Sequence, residues 1–345
     1  VDWADAHLPA VLWTSHGGQE TGRALASVLL GDAEPGGRLP QTWYRGEDAL
    51  PAPLDYDIVK AGWTYQYHRA APLYPFGHGL SYTGFACADL RLSRSRVDVG
   101  GAGGAARKIT ATVTVTNTGA RRGTETVQLY VRALDARHEA PLLKLADFRK
   151  VRLAPGASCE VAFVLDVDEA LAHWSVAAGA FTVDPGRYEV LVARSAGQVL
   201  LSAPLTVTGP APLPRAAAGR RFAAADFDDY EGVRLVDATR ADGDAVTPDG
   251  PGAARLLYRD VDLDGVRGIT AEVSRTAAGE AGLEMWADAP GPGGTLLARL
   301  TVPSTGGRYT WTTVRAAPAV PLAGVHDLHV LLRGEQRLAG FTWTA

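Results

Sequence analysis

Residues 109–116 alternate without a break: Ile109, Ala111, Val113 and Val115 are interleaved with Thr110, Thr112, Thr114 and Thr116. Side chains two apart on a strand share a face, so this stretch has one apolar face and one hydroxylated face. That is the signature of an antiparallel strand with one side on a core and the other in water. The same period continues in Val127, Leu129 and Val131, in Val161, Phe163 and Leu165, and in Tyr188, Val190 and Val192. Turn sequences separate these runs: NTG at Asn117, PG at Pro155, DPG at Asp184 and SAG at Ser195. About seven short strands over roughly 120 residues indicate an immunoglobulin-like β-sandwich, assigned to residues 85–208.

At 345 residues the chain is too long for one such sandwich. The segment GPAPLPRAAAGRR from Gly209 is rich in Pro, Ala and Arg and has little to bury, so 209–221 reads as a linker. Beyond it, strand-like runs start at Leu256, Gly268, Gly282, Leu296, Tyr309, His326 and Phe341, which assigns 222–345 to a second all-β sandwich of jelly-roll type.

Residues 1–84 differ. Residues 8–13 read as a buried strand, SHGGQE as a glycine turn, and Leu25, Val28, Leu29 and Leu30 as the apolar face of a helix ending at Gly31. Aromatic residues then follow without a sustained period: Trp43, Tyr44, Tyr56, Trp63, Tyr65 and Tyr67. One strand and one helix cannot enclose a core, so this α/β unit is incomplete by itself. Residues 1 to about 75 are therefore expected to be the least stable part of the chain. The overall expectation is a mixed, mainly β chain.

Net charge is −4, hydrophobic residues are 46% and charged residues 21% of the chain. With no apolar run near the ~18–20 residues of a membrane span, neither membrane insertion nor nucleic-acid binding is expected. The opening VDWADAHLPAVLW lacks the basic region and cleavage site of a signal peptide, which favours a cytoplasmic location. Two cysteines, Cys87 and Cys159, are too few for a disulfide framework or a cysteine-rich metal site, and no bridge is expected.

Three ordered stretches resemble family 3 glycoside hydrolases: HGGQETGRALASVLLGDAEPGGRLPQTWY from His16, YPFGHGLSYT from Tyr74, and VTVTNTGARRGTETVQLYV from Val113. FRKVRLAPG from Phe148, HWSV from His173 and VDPGRYEVLVARS from Val183 belong with the last of these. The resemblance covers roughly residues 8–205. It implies the end of the family's α/β sandwich domain followed by its fibronectin type III-like domain, in a β-glucosidase-like retaining enzyme. The last domain is similar to carbohydrate-binding module family 6 through LYRDVD from Leu257, STGGRYTWTTV from Ser304 and AGVHDLHVLLRG from Ala323. It departs from that pattern where Arg308 stands in place of a tryptophan, where Arg337 opens the closing motif in place of an asparagine, and where Ala224 and Ala225 stand at an early Ala-Glu often tied to calcium. Weak or no binding of soluble sugars is the expectation.

A retaining glycosidase needs a nucleophilic carboxylate and an acid/base ~5–5.5 Å apart. The resemblance puts the first, an Asp, on an N-terminal barrel and the second, a Glu, on a sandwich-domain loop, and neither position falls within these residues. No catalytic residue, metal ligand or cofactor is therefore assigned. Glu20 opens a helix, where a carboxylate favours the macrodipole without any catalytic role. His16 and His78 flank loop glycines without metal-ligand spacing, and SHGGQE lacks the lysine and glycine spacing of a phosphate loop. Asp226, Asp228 and Asp229 form an incomplete calcium loop and read as a solvated turn. Tyr258, Trp286, Tyr309 and Trp311 are the candidates for stacking on sugar rings. The implied partners are an oligosaccharide or glycoside, through the complete enzyme, and a chain supplying the barrel. The alternatives are a non-catalytic saccharide-binding or structural accessory protein, or one chain of a split glycosidase.

Overall fold

The computed structural model describes all residues except 54, 102–106, 242, 251, 253 and 280. The chain is mainly β and divides into two compact units, one of residues 1–173 and 181–212, the other of residues 174–180 and 213–345. No helix is long and apolar enough to cross a membrane among the described residues.

The strands of the chain's first two-thirds are β1 (Phe85–Leu92), β2 (Arg96–Asp98), β3 (Lys108–Asn117), β4 (Gly123–Ala133), β5 (Lys144–Leu153), β6 (Ser158–Asp166), β7 (His173–Ser175), β8 (Ala180–Thr182), β9 (Gly186–Ser195) and β10 (Gln198–Thr208). One sheet runs β1-β3-β6 and the other β2-β10-β9-β4-β5, while β7 and β8 pair as a ribbon. All pairs in the two sheets are antiparallel except β2 with β10. The alternation in β3 does what period two requires: Ile109, Ala111, Val113 and Val115 are buried, facing Val127, Leu129 and Val131 across the sandwich core with Phe163 and Val190. The NTG turn is held by its own asparagine. Buried Asn117 donates its amide to the carbonyls of Arg121 and Leu153 and accepts from the Gly119 N–H. Cys87 and Cys159 are both free and both pair with Val115, one from each side of β3. Two strand spacings amount to about 9.6 Å, beyond the ~7 Å that a disulfide tolerates between Cα atoms.

In the first segment, helices α1 (Asp2–His7), α2 (Thr21–Leu29) and α3 (Thr64–Tyr67) are joined by irregular chain. The strand expected at residues 8–13 does not form: the stretch has no ladder partner, and Leu8, Val11, Leu12 and Trp13 are exposed. A strand needs a neighbour to take its N–H and C=O groups, and none lies alongside. Helix α2 forms as expected and closes at Gly31 (φ +81°), but Leu29 and Leu30 face solvent.

Residues 31–82 behave otherwise. They lie as a strap over the outer side of β4, β5 and β9. Arg38 reaches Glu125 at 3.3 Å with both side chains under a tenth exposed. Glu34 accepts from the Ser81 hydroxyl and the Thr124 N–H. Tyr65 stacks on Phe76 with ring centroids 4.3 Å apart, and these two pack on Tyr130, Leu143, Leu191 and Ala193 as a second small core. Gly77 (φ +80°) could carry no side chain, because a Cβ there would meet the Gln128 amide at 2.1 Å, and that amide donates to the Gly77 carbonyl. The expectation that the whole stretch to residue 75 is loosely held is thus corrected to roughly the first thirty residues, since β4, β5 and β9 supply the layer that residues 31–82 need.

The other unit holds β11 (Arg215–Ala216), β12 (Arg221–Ala223), β13 (Asp229–Glu231), β14 (Val233–Asp237), β15 (Asp244–Pro248), β16 (Ala254–Asp262), β17 (Gly268–Ser274), β18 (Gly282–Ala287), β19 (Thr295–Thr301), β20 (Thr312–Ala316), β21 (Val325–Arg333) and β22 (Arg337–Thr344). They form two six-stranded sheets, β11-β16-β21-β18-β19 with β13 beside β16, and β14-β15-β22-β17-β20 with β12 beside β22. The core between them alternates along each strand: Ile269, Ala271 and Val273 on β17, Leu283, Met285 and Ala287 on β18, Leu328, Val330 and Leu332 on β21. Phe222, Tyr258, Phe341 and Trp343 meet in mostly edge-to-face contacts at its centre.

Candidate functional site

Within the second unit, β15, the end of β17 and the start of β22 surround a cavity of about 270 Å³. Its walls include Arg234, Arg275, Arg308, Arg337 and Glu335, with Thr247, Ser274, Thr276 and Gln336 between them. The floor is rigid for a stated reason. Arg275, almost wholly buried, donates to the carbonyls of Ala278 (3.1 Å), Gly279 (2.7 Å), Val302 (3.2 Å) and Glu335 (3.1 Å). Those carbonyls satisfy its N–H groups but carry no net charge, so the positive charge is fixed at the wall without a carboxylate ion-pair partner among the described residues. Ser274 donates to the Arg308 carbonyl at 2.8 Å and Thr247 to the Gln336 carbonyl at 2.8 Å, which pins the two loops that face each other across the opening.

Arg337 donates to the Asp237 carbonyl at 3.0 Å and stands 5.4 Å from the centre of the Tyr309 ring, and Arg240 stands 5.9 Å from the same ring. Arg234 meets Asp249 at 3.4 Å with both groups more than half exposed, a weak surface pair. Among the described residues, no acceptor holds the Arg308 guanidinium.

The four aromatic candidates separate. Tyr258 is fully buried in the aromatic core and its hydroxyl donates to the Ala224 carbonyl, so it presents no ring face to a ligand. Trp286 is on β18, in the opposite sheet from the cavity, and donates to Glu284, which also takes Arg299 and Arg333 and is held below the usual carboxylate range by them against the effect of burial. Tyr309 lies beside the cavity-lining Arg337, flanked by guanidinium groups, and Trp311 donates to the Ala238 carbonyl at 2.9 Å. The arginines are the site residues that single-position reading undervalued: Arg308 and Arg337 stand out from the sequence as departures, but their convergence with Arg234 and Arg275 depends on the fold.

The remaining polar candidates have structural occupations. Asp228 bonds Arg215 at 2.7 Å and the Arg259 N–H at 2.6 Å, and burial raises its carboxyl above the ordinary range, so it is a clamp rather than a solvated turn. Glu20 is in open solvent beside Arg23 at 3.6 Å. His78 stacks on Tyr74, and His16 is exposed. The fold also gathers a trio that sequence spacing could not reveal. His138, His173 and Asp184 place their donor atoms within 4.8 Å of one another, with the two imidazoles stacked at 3.9 Å. Tetrahedral zinc would hold such donors about 3.3 Å apart. Here the carboxylate is 4.0 Å from His138 and 3.7 Å from His173, and burial beside His173 lowers the His138 imidazole below its ordinary value, which favours its neutral form.

Comparison with known proteins assigns all three regions. Residues 1–82 match the glycosyl hydrolase family 3 C-terminal domain, residues 125–196 the fibronectin type III-like domain, and residues 223–344 carbohydrate binding module family 6. The first two matches place residues 1–82 and 125–196 beside regions found in family 3 glycoside hydrolases. Among its relatives are a β-glucosidase of Rhizobium radiobacter, 40% identical over 202 residues that are 54% of this chain and 24% of that protein, and a periplasmic β-glucosidase of Salmonella typhimurium, 35% identical over 56% of this chain and 26% of that protein. A xylan 1,4-beta-xylosidase of Xylanibacter ruminicola is 36% identical over 54% of this chain. A crystal structure of the family 3 β-glucosidase of Bifidobacterium adolescentis superposes with a TM-score of 0.50 and 32% identity over 56% of this chain and 29% of that one. The chain thus spans about a quarter of the length of the curated relatives it matches.

Proposed function

We propose that this chain is the C-terminal portion of a family 3, β-glucosidase-like hydrolase of O-glycosidic bonds, divided as 1–84, 85–208, a linker at 209–221, and 222–345, and that alone it turns over no substrate. The observation that carries the second half is the surroundings of Glu20, the one carboxylate displayed on the glycine loop: it faces Arg23 in open solvent, where a retaining pair would need two carboxylates ~5–5.5 Å apart in one pocket. The first half is supported by the strap, whose GRLP and YPFGHG stretches are docked on the fibronectin type III-like sandwich through Arg38 and Gly77.

The test is release of nitrophenol from aryl β-glucosides and β-xylosides. The 345-residue chain is expected to release none, and to gain activity when mixed with a polypeptide carrying the family's barrel and the rest of its sandwich domain. Turnover by the chain alone that disappears with Glu20→Gln would overturn the reading.

A further inference from the structure

We infer that the cavity bounded by Arg234, Arg275, Arg308 and Arg337 binds an anionic saccharide, with a uronic acid unit seated against the arginines. The inference rests on reading residues 223–344, which match carbohydrate binding module family 6, as a saccharide-binding module; it narrows the expectation of weak binding to neutral sugars and names the charge of the sugar.

Charge carries the argument. The chain as a whole is acidic, at −4, yet four guanidinium groups line this one concavity against the single lining carboxylate of Glu335. Arg234 is partly offset by Asp249, but a concavity lined mostly by one sign of charge focuses its potential and draws in ions of the opposite sign. Arg275 cannot relax away, because four carbonyls hold it, and those carbonyls leave its charge uncompensated. Arg308 has its side chain free of acceptors among the described residues, and Arg337 is aimed by the Asp237 carbonyl and Tyr309. A planar guanidinium fork matches a carboxylate with two parallel N–H···O bonds, which a hydroxyl cannot reproduce. About 270 Å³ is near the lower end of small-ligand clefts, a size for one terminal or branching unit rather than a long chain. Ser274, Thr276 and Thr247 add hydroxyls suited to the rest of a sugar ring. The half-buried ring of Tyr309 stands beside Arg337 for a neighbouring unit.

The experiment is calorimetric titration of the full 345-residue chain with oligogalacturonides, with xylo-oligosaccharides bearing a glucuronic acid branch, with their neutral counterparts, with sulfated oligosaccharides, and with inorganic sulfate. Saturable binding of the uronates is expected, at least tenfold tighter than the neutral sugars and several-fold weaker when ionic strength rises from 20 to 200 mM, roughly as screening requires. Arg308→Ala and Arg337→Ala should each lower it at least tenfold, and Arg308→Lys should recover part of the loss. Arg308 is exposed, so an unchanged melting temperature separates lost binding from lost folding. Neutral sugars binding as tightly as uronates, with Arg308→Ala indifferent, would overturn the charge assignment and leave the module reading standing. Binding of sulfate alone would make it a simple anion site, and preference for sulfated sugars would overturn the uronate; both contradict the inference. No binding of any saccharide would overturn it together with the module reading, while the hydrolase proposal would still be decided by the nitrophenol assay.

Discussion

Residues 1–30 and residues 31–82 match one family domain, yet the two stretches have opposite fates. In the first, Trp3 is 66% exposed and Leu29 and Leu30 are more than 70% exposed, and the expected strand stays unpaired. In the second, Arg38 is almost fully withdrawn from water together with its partner Glu125 on β4, and two aromatic rings build a core with β4 and β9. Among its described residues the strap has one short α-helix, one 3-10 turn at Glu47–Ala49, a lone β-bridge between Trp43 and Tyr74, and otherwise irregular chain. Regular secondary structure therefore does not decide which stretch is held. What decides is whether the surface that a stretch is shaped to meet lies within reach.

The sharpest way to break this contrast is Arg38→Ala. Removing one partner of a buried pair strands the other charge, and a loss of about 3–5 kcal/mol in denaturant-measured stability is expected at pH 7. Burial already raises the Glu125 carboxyl above its ordinary range, outweighing the pull of Arg38 and Arg194, so without Arg38 it rises further. A folded-state value above the unfolded one means that the folded protein binds more protons, so stability falls as pH rises through that window. The deficit of the variant should accordingly be smaller at pH 5 than at pH 7. A deficit under 1 kcal/mol at both would show that the strap is held by something else.

Phe76→Ala should cost about 2 kcal/mol, less than a fully buried aromatic because the ring is only partly enclosed. The paired measurement is Leu29→Ser with Leu30→Ser, expected within about 0.5 kcal/mol of the parent because both side chains already face water. A loss beyond 1 kcal/mol from the double serine variant would mean that α2 is covered in solution. Hydrogen exchange maps the same boundary directly: amides in residues 1–30 are expected to exchange fast and those at Leu39, Trp43 and Gly77 slowly, since these last three donate to backbone carbonyls within the strap.

The smallest effect is a pH response. Burial, helped by Arg38 and opposed by Asp5, lowers the His78 imidazole below its ordinary value. A lowered folded-state value gives stability that is complete above the unfolded pKa of ~6.5 and lost as pH falls through the folded one. His78→Asn should therefore flatten part of the acid side of the stability curve between pH 6.5 and 5. A steeper curve in the variant would show that His78 is protonated in the folded strap.

Where a segment is regular and closes on itself, its place was legible from one line of residues. The alternation at Ile109–Val115 is a strand with every apolar residue buried, and the run from Gly268 is β17 to the residue. The strap was not legible, because its backbone is irregular and its contacts are with β4, β5 and β9, some 90 residues away; no period records that Tyr65 meets Tyr130. Residues 8–13 misled for the converse reason, since an apolar run states a need for partners and not their presence. The cavity falls between these cases. Arg308 and Arg337 were visible as odd residues in a known pattern, but only the meeting of β15, β17 and β22 turns four scattered arginines into one wall.

The docking of Arg38 on Glu125 and of the Gln128 amide on the Gly77 carbonyl also bears on how such chains can be cut and recombined. A splice at Phe85, where the strand pattern begins, would leave Glu125 and the Tyr130–Leu191 patch facing water. A chimera that keeps residues 31–82 with the sandwich is expected to be soluble at high concentration, whereas one cut at residue 85 is expected to aggregate. The inheritable building block is thus the strap and its sandwich together, and the seam that shuffling can tolerate falls near Gly31.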